Sequence, residues 1–279
     1  MKNLILICLI TSTLLSAKET ILWAESSFSP VYITKGDMKG QGYEQLQEND
    51  IRKYLSNYEH KIEEYSAKRT LYMQKHLPNI CNGKLKNKQR EKFLHFSVAL
   101  NALFPNGLFI NKNQLYKFKK YINSDGELNL EQVVLSNTFK LTFKKKRAYG
   151  KHIDSIINKY SKSSTFLQLD KGDSNQLQLL KNKRIDGYFV YPIEAQFHIR
   201  NENQKDFVFL PIIIDSYTPT YIACSKTTQG KQIIDDINEY ILLHRENTLL
   251  EHYIKWLDKD TARKIRENSK EIFKELDNR

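Results

Sequence analysis

What this chain lacks narrows its chemistry. Its histidines and cysteines never gather at zinc-ligand spacing, and His60, His76 and His95 fall on different predicted elements, so no metal site is expected. The glycines form no phosphate-cradling loop and no Gly-x-Ser-x-Gly elbow presents a nucleophile, so no cofactor is expected either. Low-complexity segments and short repeats are also missing. No apolar run reaches the roughly 20 residues that a spanning helix needs. Leu4 to Ile10 stops at Thr11, and Phe209 to Ile214 is interrupted by Pro211 and closed by Asp215.

The first of those runs reads as an export signal. Met1 to Ala17 sets Lys2 ahead of the apolar run and ends in the small residues Ser16 and Ala17, so cleavage is expected near Ala17 and the rest is expected in the periplasm. Cys8 follows Ile7 instead of a small residue, which argues against a lipid anchor. Cys81 and Cys224 remain, and an oxidising compartment allows them to pair. The formal charge of +12 raises the question of nucleic acid, and Tyr116 to Tyr121 does interleave aromatics with lysines. Export and the even spread of lysine favour solvated faces over a nucleic-acid groove, so no nucleic-acid partner is expected.

Beyond residue 17 the chain is long enough for one large domain or two ordinary ones of roughly 100–200 residues. Ile21 to Ala24 reads as a buried strand, and Tyr43 to Tyr58 as a helix with Tyr43, Leu46, Ile51 and Leu55 on its apolar face. Lys61 to Tyr65 is a second strand, Ala67 to His76 a helix stopped by Pro78, and Asn79 to Asn82 a third strand before a turn at Gly83. This alternation predicts parallel βαβ units and an α/β fold. A second set follows. Its strands are Phe139 to Phe143 and Gly187 to Val190; its helices run from about His152 to Tyr160, from a cap at Asp173-Ser174 to Lys183, and from Glu194. Thr218 to Lys226 is a last strand, succeeded by helices from about Gly230 to Arg245 and Leu249 to Leu257.

Cys81 to Ser97 carries the sharpest local signal, because it sets Arg90 behind a glycine and ahead of a short strand. A guanidinium beside backbone N–H groups can grip a carboxylate through two parallel hydrogen bonds. The plain alternative is a solvated arginine at a helix start.

In order and spacing, Trp23 to Tyr43, Cys81 to Ser97, Tyr149-Gly150, Arg184 to Pro192 and Tyr221 to Trp256 together resemble the family 3 periplasmic solute-binding proteins, the amino-acid-binding receptors of ABC importers. The resemblance covers nearly all of residues 20 to 260. It implies two doubly wound lobes joined by a two-strand hinge, with a ligand in the cleft between them. Lobe one would be 18–110 plus 217–279, and lobe two 111–216. It further implies that Glu25 and Phe28 line the cleft, that Tyr65 stacks on the ligand, and that Asn82 and Gly83 offer backbone groups. Arg90 would hold a carboxylate, and Tyr149 with Gly150 would form a helix N-terminus facing it. Each aromatic also has a packing reading: Phe28 and Tyr65 as core side chains, Tyr149 as a residue packed at a helix start, Trp23 as core.

The sequence departs from the family pattern twice. Tyr191 stands where α-amino-acid receptors place the carboxylate that holds the ligand's ammonium group, and Leu85 replaces a ligand-contacting hydroxyl. Glu25 is left as the candidate for the missing charge. The resemblance also places Cys81 and Cys224 on neighbouring strands, implying a disulfide, with two buried thiols as the alternative. The expected function is that of a monomeric, non-enzymatic receptor for a small polar, carboxylate-bearing solute, serving an ABC-type permease or a membrane sensor. The alternatives are a stand-alone sensory or envelope module, or a dehydratase-like enzyme using Glu25 or Glu194 beside Arg90.

Overall fold

The computed structural model describes residues 18–145, 147–169, 176–201, 205–213 and 217–278. The expected export signal and the Asp173-Ser174 cap lie outside the described residues. Two βαβ turns open the chain: β1 (Thr20–Glu25), α1 (Tyr43–Tyr54), β2 (Glu59–Glu64), α2 (Ala67–His76) and β3 (Ile80–Lys84). β1 pairs in parallel with β2 on one side and β3 on the other. Gly83 was expected to turn the chain, but it lies inside β3. Short strands β4 (Leu94–Phe96) and β5 (Asn101–Leu103) follow, and the chain then crosses over Phe104, Pro105 and Asn106.

β6 (Gly107–Asn111) already belongs to the second sheet, between β9 and β10. The expected lobe boundary at 110/111 therefore falls inside a lobe-two strand, and the crossover comes before Gly107. The second lobe is built from α3 (Leu115–Phe118), α4 (Leu130–Leu135), β7 (Leu141–Lys144), α5 (Lys151–Lys159), β8 (Phe166–Leu169), α6 (Gln176–Lys181), β9 (Gly187–Val190), α7 (Pro192–Asn201) and β10 (Phe207–Leu210). Its strand order is β10-β6-β9-β7-β8. The chain returns through β11 (Thr218–Ser225), which completes the first sheet in the order β2-β1-β3-β11-β4 and also pairs with β5. The helices α8 (Thr228–His244), α9 (Thr248–Ile254), α10 (Lys259–Glu267) and α11 (Ser269–Asp277) close lobe one.

Each lobe has an apolar centre. Trp23, Ile51, Ile222 and Ile237 pack in the first, and Leu108, Phe118, Leu141 and Phe189 in the second. Trp23 is thus a core residue. Cys81 and Cys224 are register partners on antiparallel β3 and β11 and are joined by a disulfide, with Cα atoms 4.2 Å apart.

The seam between the first sheet and its helices is polar. Gln47 donates to Asn101 Oδ1 and to Leu249 O, both at 2.7 Å, and Gln74 donates to Asn82 Oδ1 and Ala223 O, both at 3.0 Å. The buried face of α1 holds Glu44, Gln45, Gln47 and Glu48, while Leu46 is only half-buried. An apolar-periodicity reading of α1 therefore found the helix but chose the wrong face at Leu46. Most of these buried amides and carboxyls persist there because partners satisfy them, although Gln74 Oε1 and Glu48 Oε2 accept no hydrogen bond among the described residues.

The terminal helices brace the crossover. Tyr253 Oη accepts from Phe104 N at 2.9 Å, and Asn238 Oδ1 accepts from Val98 N at 2.8 Å. The lobes also meet along one flank, where Arg200 of α7 donates to the carbonyls of Lys255 (2.7 Å) and Leu257, and the Phe197 and Trp256 rings lie 5.8 Å apart.

Candidate functional site

A cavity of about 900 Å³ lies at the carboxyl ends of β1, β2 and β3 and reaches across to lobe two. Lobe one contributes Phe28 from the loop after β1, Tyr65 after β2, and Asn82 to Leu85 at the end of β3. Tyr191 and Ile193 come from the β9–α7 junction of lobe two. Ligands bind doubly wound folds at such strand ends.

Arg90 opens a 3-10 turn (Arg90–Lys92) just before β4, and its guanidinium lines the cavity. Its Nη1 donates to Leu85 O at 2.5 Å. That bond holds the side chain in place and leaves further donors for a ligand. Among the described residues no carboxylate forms an ion pair with it, and burial pulls its pKa below the usual value. Leu85, which replaces a hydroxyl, takes part through its backbone oxygen.

Phe28 and Tyr65 lie on the cavity wall instead of in the core. Phe28 is 42% exposed, and Tyr65 carries the Arg69 guanidinium 4.8 Å from its ring centre. Ser26 Oγ, donating to Tyr65 O at 2.8 Å, ties the two loops together.

Four sequence-derived assignments come out differently. The Glu25 carboxylate accepts from Gln45 Nε2 at 2.6 Å and is not part of the cavity wall. Gly83 N–H is already committed, donating to Tyr32 Oη (3.0 Å) and Glu48 Oε1 (3.2 Å), so it offers a ligand no free donor. The Tyr149 ring is buried in the lobe-two core. Its N–H points at Asp154 Oδ1 (3.0 Å), so the first turn of α5 supplies its own anion. Gly150 caps α5 at φ +103°, a conformation that favours glycine, and stands outside the cavity.

Sequence reasoning missed two clusters. In lobe two, Arg147 grips Glu194 in a fork, Nη1 to Oε1 at 3.1 Å and Nη2 to Oε2 at 2.5 Å. Its guanidinium faces the rings of Phe28 (5.9 Å), Tyr149 (5.2 Å) and Tyr191 (5.6 Å). Burial acts to lower its pKa, but the Glu194 charge and hydrogen bonds outweigh it and the net shift is upward. Glu194 also accepts from Tyr191 N at 3.0 Å, three residues into a helix that opens on proline. That capping pattern was legible; its partner 47 residues earlier was not.

In lobe one, behind Gly83, the Tyr32 hydroxyl donates to Glu48 Oε1 at 2.5 Å, and Glu44 lies beside them on the cavity wall. Desolvation raises Glu44 to about 7 and Glu48 to about 8. Lys84, on the same wall, falls to about 8, first through burial and then through the Arg90 charge.

The raised carboxyls make stability depend on pH. Between the ordinary glutamate value of 4.5 and a folded value of 7 to 8 the native state holds more protons than the unfolded chain, so unfolding free energy falls as pH rises through that range. His60 and His95, lowered by burial, act in the opposite sense below about pH 6.5, and Lys84 acts above about 8. The informative window is therefore about pH 6.5 to 8. Urea denaturation across it should show declining stability, and Glu48→Gln should flatten the slope. An unchanged slope in the variant would place the proton uptake elsewhere.

No protein-family model and no curated protein matches the chain. Solved structures do. The probable amino-acid ABC transporter extracellular-binding protein ytmK of Bacillus subtilis aligns at a TM-score of 0.66 and 18% identity, covering 88% of this chain and 100% of its own. Substrate-binding domain 2 of Lactococcus lactis GlnP, in its open conformation, gives 0.63 at 14% identity, over 87% of this chain and 97% of its own. The periplasmic VFT2 domain of Bordetella pertussis BvgS gives 0.61 at 11% identity, over 85% and 93%. At these identities the likeness fixes the fold: two α/β lobes of the type II periplasmic binding architecture.

Proposed function

We propose that this is an exported receptor that captures a small carboxylate-bearing solute between its lobes and delivers it to an ABC-type importer. The observation that carries this reading is Arg90, a partly buried guanidinium facing a cavity of about 900 Å³ and, among the described residues, paired with no carboxylate. Binding proteins among the structural neighbours support receptor over enzyme. The local chemistry points the same way for the two acids expected of a dehydratase: Glu25 is held by Gln45 and Glu194 by Arg147. Among the described residues no helix is long and apolar enough to cross a membrane, which suits an exported receptor cleaved near Ala17.

A thermal-shift screen of residues 18–279 against organic acids, amino acids and small peptides tests the reading. A ligand at 100 times its dissociation constant should add about 2.7 kcal/mol of stability. Carboxylates should give the shifts, while the common α-amino acids should not, because a phenol at Tyr191 cannot replace a carboxylate opposite an ammonium group. A screen in which no carboxylate shifts the transition would overturn the assignment.

A further inference from the structure

The cavity carries charge of both signs, separated by a strand. Successive side chains of a strand face opposite ways. Asn82 accepts from Gln74 of α2, so Asn82 and Lys84 face that helix, whereas the Cα of Gly83 turns toward α1. A Cβ built on Gly83 would fall 2.0 Å from Glu44 Oε2, so the absent side chain makes room for the Glu44 carboxylate against the strand. Arg90 meets the same strand's continuation at Leu85 O, two residues further on. At roughly 3.3 Å per residue the points on the strand that Glu44 and Arg90 reach are about 7 Å apart, which sets the scale of the separation between the two poles.

The negative pole is also short of donors. Tyr32 stands between Glu48 and Glu44, and a phenol has one proton to give. With that proton on Glu48, Glu44 keeps the Tyr43 hydroxyl as its donor and feels the Lys84 charge, and its two oxygens retain unused acceptor capacity. Glu64, the other carboxylate on the wall, is solvent-exposed.

We infer that the cleft selects a carboxylate whose cationic nitrogen lies several bonds away, an ω-amino acid, with its carboxylate on Arg90 and its ammonium on Glu44. This rests on the receptor reading above and adds the position and spacing of the second pole. An α-amino acid carries both charges on one carbon and cannot reach both poles.

Calorimetric titration of the full mature chain with three matched sets tests it: γ-aminobutyrate, δ-aminovalerate and ε-aminohexanoate; the plain acids butyrate, valerate and hexanoate; and the α-amino isomers norvaline and norleucine, with pentylamine as the amine alone. One ω-amino acid should bind roughly ten- to a hundredfold more tightly than its plain and α-amino counterparts, the scale of a charge-assisted hydrogen bond. Glu44→Gln should remove that preference, so that an ω-amino acid and its plain counterpart bind alike. Glu44→Asp, which retains the charge but withdraws it by one methylene, should move the preference to the next longer homologue.

Plain or α-amino acids binding as tightly as the ω-amino set, or a preference that survives Glu44→Gln, would overturn the inference and leave the receptor reading standing. Pentylamine bound with no acid bound would remove the carboxylate reading while sustaining Glu44 as a cation pole if Glu44→Gln abolished it. Binding of none of the probes would overturn the ligand class itself.

Discussion

Replacing Cys81 and Cys224 together by alanine is expected to remove about 2–5 kcal/mol of unfolding free energy. The bond closes a loop whose ends are 143 residues apart, and the unfolded-state entropy it removes grows with the logarithm of that length. The closed loop contains part of the first sheet and all of lobe two, so losing it frees the largest single constraint on the unfolded chain. Against a typical domain stability of about 5–15 kcal/mol this is a large fraction. Both sulfurs are fully buried in the lobe-one core, so alanine adds a packing loss. Urea denaturation of oxidised wild type, reduced wild type and the double variant separates the two parts, because only the variant loses the sulfur atoms. Two alkylatable thiols in native oxidised protein would show that the bond does not form.

The second large effect is on binding. Arg90→Ala should weaken a carboxylate ligand by about 2–5 kcal/mol, much of it the penalty for a carboxylate left unpaired in a closed cavity. Arg90→Lys should recover only part of this, since an ammonium lacks the planar fork and would lose the geometry set by Leu85 O. Equal affinity of wild type and either variant for the identified ligand would remove Arg90 from the site. Circular dichroism should show both variants folded, because the side chain makes one backbone hydrogen bond and no ion pair among the described residues.

Much of the fold was legible because α/β units announce themselves by alternation and punctuation. The helix at Ala67–His76 and the strand at Gly187–Val190 were bounded as they occur, one by Pro78 and the other by Tyr191-Pro192. Strands β8 and β10 were missed because Phe166–Leu169 and Phe207–Leu210 are too short to show a period. Helix α10 was missed because it buries little besides Ile265, although Asp258 Oδ1 caps it by accepting from Asp260 N and Thr261 N; α11, with Ile272, Phe273 and Leu276 buried at helical spacing, was legible and overlooked.

The site divided along the same line. Arg90, Phe28, Tyr65 and Tyr191 come from contiguous motifs and do meet at the cavity. The Arg147–Glu194 fork and the Tyr32, Glu44 and Glu48 group depend on pairings between distant segments, which single-sequence periodicity does not encode. Glu25 was the candidate for a missing negative charge, and its pairing with Gln45, twenty residues on in α1, is not encoded in local periodicity.

The clasp between α7 and the segment just after α9 changes how this molecule can move. A swing centred on the two crossover segments alone would pull Arg200 off the carbonyls of Lys255 and Leu257 and separate Phe197 from Trp256. A swing whose axis runs beside that clasp keeps them together. The lobes would then part like a book bound along its edge, and opening would draw Phe28 of lobe one away from Arg147 of lobe two. On the receptor reading proposed above, a solute entering between the lobes would come between that lobe-one ring and the lobe-two guanidinium lying over it.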